Sequence, residues 1–411
     1  MRRTQLLSIF LMLALTAAGI FFYMRQYPVQ EPEQTALFPE KEIVIPASAS
    51  APPALTLHAR YAGVMDASSG RMLYGKEMDK KAAMASTTKI MTALLVLESG
   101  RIGETVTASS YAASMPKVHL GMVKGRQYRM KDLLYSLMLE SHNDTAVAIA
   151  EHMAGSVENF AGKMNEKAKA LGMTSTHFVT PNGLDAKDHG STPADMCRLA
   201  AYAIQNREFC SLIQTRAHRF SDVSGAHSYS LTNRDAFLSY YDGALGIKTG
   251  FTGDAGYCFV GAARRNGITL TSCVLASGWP PNKSYKWTDT RSLMDYGFSH
   301  YTAFTFPMQQ MSAVRIPVED GKTDFVSCSQ PSAPSTLLGR HETVTVRYNL
   351  PDKLYAPVRS HTAIGTVSFY INNSLYRTEK IFPLENIEKS GFSDTIKTVL
   401  HSWLETFTGG L

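Results

Sequence analysis

Three short stretches of the 411-residue chain carry side chains that could do chemistry together: Ser86-Thr87-Thr88-Lys89, Ser141-His142-Asn143 and Lys248-Thr249-Gly250. A serine hydroxyl is a poor nucleophile until a neighbouring base takes its proton. A lysine can be that base only where burial or nearby positive charge lowers its pKa. Ser86 and Lys89 are three residues apart, so on a helix they share one face. The residues after Lys89 run mostly apolar to Leu97, and Gly100 is a stop signal, which places Ser86 at a helix start. Free N–H groups and the positive dipole end there can serve an oxyanion.

Each stretch alone also has a plainer reading. Ser and Thr are ordinary N-caps. Ser141-His142-Asn143-Asp144 ahead of the apolar run Thr145 to Met153 fits a capping box, and His142 alone reads as structural or solvent-facing. Surface lysines near strand turns are common. His189, Asp185 and Asp195 lack metal-ligand spacing and read as loop and cap residues.

The elements that must position these groups alternate along the chain. Tyr61 to Asp66 and Arg71 to Gly75 flank Ala67-Ser68-Ser69-Gly70, the pattern of a hairpin. Helical spacing is expected at Lys131–Glu140, Gly155–Gly172 and Tyr285–Phe298. A further helix is opened by Thr192 as N-cap, Pro193 at the first turn and Asp195. Ala244 to Thr252 begins a run of strands, continued by Ala255–Ala263 and Ile268–Ala276 around Asn266-Gly267, a strong hairpin signal. These patterns predict an α+β catalytic domain, an antiparallel sheet with helices, over 55–304. From about Phe306 alternating strand-like runs predict a separate small all-β domain at 305–383, with no catalytic constellation.

Composition bounds the rest. Hydrophobic residues make up 44% and charged residues 18% of the chain, enough to bury a core. The net charge of +6 is mild, and no basic run points to nucleic acid. None of the five cysteines forms a C-x-x-C pair. Cys258 and Cys273 fall diagonal rather than opposite across the Asn-Gly hairpin, which argues against a disulfide. Met1-Arg2-Arg3 followed by the apolar run Leu6–Met24 reads as a signal peptide or an N-terminal membrane anchor over 1–26. Residues 27–54 read as a flexible spacer. In the tail, 384–411, the residues Phe392, Ile396, Val399, Leu400, Trp403, Leu404 and Phe407 trace one helical face. That face could meet a membrane surface or dock on protein.

The three motifs in this order resemble those of the serine-type D-alanyl-D-alanine carboxypeptidases, the low-molecular-mass penicillin-binding proteins. The resemblance extends through Ala85–Ala93, Ser141–Asp144, Asn182-Gly183-Leu184-Asp185, His189–Thr192 and Gly246–Thr252, and so spans roughly Leu57 to His300. His142 stands where the family usually has a small residue. The resemblance implies a penicillin-binding/β-lactamase-like catalytic domain acting outside the cytoplasm, at the outer face of the bacterial membrane. The implied substrate is a peptidoglycan stem peptide, the implied inhibitors are β-lactams, and no metal or cofactor is implied. Ser86 would be the nucleophile, Lys89 its base, and Ser141 a relay bridging towards Lys89 and Lys248. Asn143 would bind the substrate backbone. Lys248 and Thr249 would take the terminal carboxylate, while Gly250 leaves room along the strand. The N–H groups of Ser86 and Phe251 would form the oxyanion hole. Alternatives are a D,D-endopeptidase, a β-lactamase and a non-catalytic wall-binding protein. The Phe178–Ser191 loop contains no glutamate, which argues against a class A β-lactamase.

Overall fold

The computed structural model describes residues 41–391, with Ile396, Val399 and Leu400. The apolar N-terminal segment, the spacer up to residue 40 and the other residues of the tail's apolar face lie outside the described residues. Among the described residues no helix is long and apolar enough to cross a membrane. Residues 41–391 divide into two compact units, one of residues 46–306 with 334–343, the other of residues 41–45, 307–333 and 344–391.

The larger unit is built on five antiparallel strands: β1 (Tyr61–Asp66), β2 (Met72–Lys76), β3 (Ala244–Thr252), β4 (Gly256–Arg265) and β5 (Ile268–Leu275), in the order β2-β1-β5-β4-β3. Asn266 and Gly267 adopt φ of +49° and +79° and turn β4 into β5, with Cys273 opposite Val260. All five cysteines are free thiols. The central strands are apolar on both faces because both are covered. On one face Met65, Val260 and Cys273 pack in a core shared with α1 (Lys89–Glu98), α2 (Asn143–Ala154) and α3 (Pro193–Ala203). On the other, Val64, Phe259 and Leu270 pack against Leu293 and Met294 of α4 (Tyr285–His300). Thr192 caps α3 as its sequence predicts, accepting from Asp195 N at 3.1 Å.

The smaller unit is a β structure. Glu42–Ile45, Val344–Asn349, Gly365–Ile371 and Ser374–Ile381 form one antiparallel sheet in that order. Phe325–Ser327, Arg315–Glu319 and Leu354–Tyr355 form a second. Two stretches depart from the boundaries expected from sequence. Glu42–Ile45, inside the presumed spacer, pairs residue for residue with Val344–Arg347. Ser335–Gly339, inside the presumed β domain, instead pairs with Tyr301–Thr305 of the larger unit. There Arg71 donates to the Leu337 carbonyl at 2.6 Å and pairs with the buried Glu342 carboxylate. Both departures arise from pairings between residues far apart in sequence, which local composition does not encode.

Candidate active site

Ser86 lies in a 3-10 turn, Ala85–Thr88, that runs directly into α1. Ala85 is left-handed at φ +48°, so the turn needs support from outside. The Asn182-Gly183 turn supplies some: a Cβ on Gly183 would lie 2.0 Å from the Ala85 carbonyl oxygen. His189 supplies more. Its Nδ1 accepts from Val179 N at 2.9 Å, which leaves Nε2–H to donate to Thr88 Oγ1 at 3.0 Å. Thr88 then donates to the Ala85 carbonyl at 2.8 Å. Burial holds His189 neutral, lowering its pKa to about 4. The residue read from sequence as a loop histidine is thus a strut beneath the Ser86 turn.

Lys89 is fully buried. Its Nζ lies 2.9 Å from Ser86 Oγ, 2.9 Å from Asn143 Oδ1 and 2.5 Å from the Asn182 carbonyl oxygen. Burial first, and the charge of Lys248 second, drive its pKa well below the usual lysine value, against an opposing pull from Asp144. A neutral amine has two N–H donors and one lone pair. Two of the three neighbours are carbonyl oxygens, which can only accept. In the neutral amine, with both N–H bonds directed at Asn143 and Asn182, the lone pair would face the Ser86 hydroxyl.

Ser141 and Asn143 come from the junction between the turn Ser136–Glu140 and α2. Ser141 does not cap α2. It is left-handed at φ +70°, and its hydroxyl makes no hydrogen bond among the described residues, to either lysine or to any other group. The expected bridge from Ser141 to Lys89 and Lys248 is not formed among the described residues; the Lys89 amine instead meets Asn143 and Asn182, and Lys248 meets the Thr249 carbonyl. Asp144 is no capping-box acid either. Its carboxylate accepts from the N–H groups of Leu120, Gly121 and Met122 at 2.9–3.0 Å, pinning the 116–122 loop beside the site. Asn143 holds the same loop through Val118 O and Pro116 O. His142 is buried, with Nδ1 2.8 Å from Ser136 Oγ and Nε2 3.4 Å from a Glu140 carboxylate oxygen. Burial lowers its pKa.

The third motif lies on β3, whose outer edge is open because it is the last strand of the sheet. Tyr257, opposite Phe251, directs its N–H and C=O to Gly278 and Ser277 on the β5 side. Facing residues of an antiparallel pair either bond each other or both turn away from each other, so Phe251 directs its own N–H and C=O to the open edge. Gly250 brings that edge onto the Ser86 turn: a Cβ there would sit 3.0 Å from Ser86 N. Lys248 is fully buried and donates to the Thr249 carbonyl at 3.0 Å; burial lowers its pKa to about 7, opposed by Asp235. Among the described residues no group of three His, Cys, Asp or Glu could hold a metal ion.

Ser86, Lys89, Asn143, Lys248 and Gly250 thus converge at the open edge of β3, with Ser141 beside them. Four contributors have roles that the sequence does not show: the Asn182 carbonyl, Asp144, His189 and Asp235. The Asn182-Gly183 turn signal was visible, whereas a backbone carbonyl leaves no mark in sequence.

A serine and a lysine whose pKa burial depresses, set on one helical turn and closed by an edge strand, are the groups a nucleophilic acyl-transfer centre would need, and they sit on a penicillin-binding-type domain. The chain belongs to the D-alanyl-D-alanine carboxypeptidase family, which matches residues 46–278, and the C-terminal domain of penicillin-binding protein 5 matches residues 308–389. It is 28% identical over 357 residues to the D-alanyl-D-alanine carboxypeptidase DacF of Bacillus subtilis (strain 168), covering 85% of this chain and 91% of that one. It is 34% identical over 270 residues to a D-alanyl-D-alanine carboxypeptidase of Streptomyces sp. (strain K15), covering 62% and 91%. The solved structure of penicillin binding protein 5 from Haemophilus influenzae matches with a TM-score of 0.68 at 25% identity, over 83% of this chain and 100% of that one.

Proposed function

We propose that this protein hydrolyses the terminal D-Ala–D-Ala bond of peptidoglycan stem peptides through an acyl-enzyme on Ser86. The observation that carries the residue assignment is the buried amine of Lys89, 2.9 Å from Ser86 Oγ, with the carbonyl oxygens of Asn143 and Asn182 as its other neighbours. Lys89 takes the Ser86 proton and Ser86 attacks the carbonyl of the penultimate D-alanine. The N–H groups of Ser86 and Phe251 hold the oxyanion, which grows at the gap that Gly250 keeps narrow. Lys248 and Thr249 bind the terminal carboxylate. Ser141, whose hydroxyl makes no hydrogen bond among the described residues, relays the proton taken up by Lys89 to the nitrogen of the departing D-alanine, receiving one as it gives one, so that Lys89 returns to the neutral amine. Asn143 offers its remaining N–H to the substrate backbone. Water then hydrolyses the ester.

A β-lactam presents a strained amide and a carboxylate to the same groups. Its leaving amine stays tethered, and the Phe178–Ser191 loop has no glutamate to activate water. Ser86 should therefore hold penicillin as a long-lived adduct, one per chain. The test is free D-alanine from a D-Ala–D-Ala peptide, together with intact mass after penicillin. Ser86→Ala should lose about 10⁴-fold or more of the activity and all of the adduct. A folded Ser86→Ala protein that still releases D-alanine would refute the assignment, and rapid penicillin turnover would mark a β-lactamase.

The enzyme works on the cell wall, outside the cytoplasm. Membrane attachment through Leu6–Met24, assisted by the tail face to which the exposed Ile396, Val399 and Leu400 belong, is part of the same proposal. It predicts membrane-fraction recovery that is lost on removal of residues 1–26, or of the tail if that face is the main contact.

A further inference from the structure

We propose that Asp235 is a positioning residue for Lys248: it fixes the start of β3 that aims this lysine at the site, and it supplies the counter-charge that keeps it cationic. The inference rests on the reading of Lys248 as the cation for the terminal carboxylate.

The mechanism makes opposite demands on two buried lysines. Lys89 must be a neutral amine, and Lys248 must be an ammonium. Burial alone pushes both towards the neutral form. Something must separate them.

Asp235 is buried at the head of the short helix Phe237–Tyr240. Its Oδ1 accepts from Phe237 N at 3.0 Å and its Oδ2 from Ile247 N at 3.1 Å. Ile247 immediately precedes Lys248. The pairing of β3 with β4 is irregular between Ala244 and Gly246, and Gly246 is left-handed at φ +82°. A Cβ on Gly246 would sit 2.8 Å from Asp235 Oδ2, so the carboxylate packs directly into that irregularity. It thereby sets the direction in which β3 leaves the bulge two residues ahead of Lys248.

The charges around the pair are few. Asp235 faces Lys248, Lys286 of α4 and the Tyr240 hydroxyl; Lys248 faces Asp235 and Lys89. The acid that faces Lys89 is Asp144, whose carboxylate accepts from four backbone N–H groups, those of Leu120, Gly121, Met122 and Thr145. Burial raises the Asp235 pKa to about 6 and lowers that of Lys248 to about 7, and each charge opposes the other's shift.

The test compares kcat/KM for a D-Ala–D-Ala peptide with that for its C-terminal amide, from about pH 5 to about pH 9. In the wild type the acid-to-amide ratio should exceed one and fall as pH rises through about 7, where Lys248 loses its proton. In Asp235→Asn the midpoint of that fall should move down by about one pH unit. Asp235→Ser serves as a second neutral variant if Asp235→Asn does not fold, and Asp235→Glu should return the midpoint towards the wild-type position. A neutral variant with an unchanged midpoint, whatever its overall activity, overturns the proposal and leaves Asp235 a purely structural group. A wild-type ratio near one at every pH is a different failure: Lys248 then does not hold the carboxylate.

Discussion

The two units treat charge in opposite ways. Every charged side chain buried among the described residues belongs to the larger unit, including Lys89, Asp144, Asp235 and Lys248. The smaller unit keeps its ion pairs exposed: Arg347 with Glu42, Lys353 with Glu319, Arg359 with Glu388, Arg377 with Glu379 and Lys389 with Asp320. A buried lysine without a direct ion pair is costly to fold around, whereas an exposed pair is worth little either way. Buried Lys89 and Lys248 therefore cost the larger unit stability, and no buried charge does the same in the described residues of the smaller unit. Perturbed groups gathered at one strand edge are what a working site looks like.

That contrast predicts a graded series. The largest effect should come from Lys248→Met. The folded pKa of Lys248, about 7, lies below the unfolded value of 10.5, so its stabilising contribution is lost as pH falls from about 10.5 towards about 7. At pH 6 the Met variant should be more stable than the wild type by on the order of a few kcal/mol while its carboxypeptidase activity is lost. Above pH 7 that advantage should shrink by about 1.4 kcal/mol per pH unit. Denaturant melts at several pH values check this, and a pH-independent difference would remove the buried-charge argument.

Gly183→Ala should come next. Its Cβ would overlap the Ala85 carbonyl, and the residue is left-handed at φ +84°. We expect a loss of about 3 kcal/mol and a displaced Ser86, visible as slower acylation by penicillin even at temperatures where the variant is folded.

Ser141 gives a smaller, two-sided effect. Ser141→Gly relieves the left-handed backbone and should be about 1 kcal/mol more stable than Ser141→Ala. Both should lose activity by about 10²-fold, because neither has the hydroxyl. Equal melting temperatures for the two would show that the backbone at Ser141 is unstrained. The smallest effect should be that of Arg359→Ala in the smaller unit: no measurable change in D-alanine release or in penicillin labelling. A clear loss there would break the contrast between the units.

Much of this was legible in the chain. Ser86-x-x-Lys89, Ser141-x-Asn143 and Lys248-Thr249-Gly250 are local, and their order and helix or strand contexts can be read without coordinates. The Asn266-Gly267 hairpin and the Thr192-Pro193 helix start were equally plain, because turn and cap preferences act over two to four residues. What tertiary structure alone decided lies in long-range pairings. Glu42–Ile45 became a strand only because Val344–Arg347 was there to receive it. Asp144 left its expected capping role for the N–H groups of a loop some twenty residues earlier. The surroundings of the Lys89 amine were completed by a backbone carbonyl of Asn182, which any residue type could offer. Residue types and spacing name the candidate reacting groups because chemistry depends on side chains. The protonation state of each group depends on burial and on neighbours brought from elsewhere, and only the folded chain sets those.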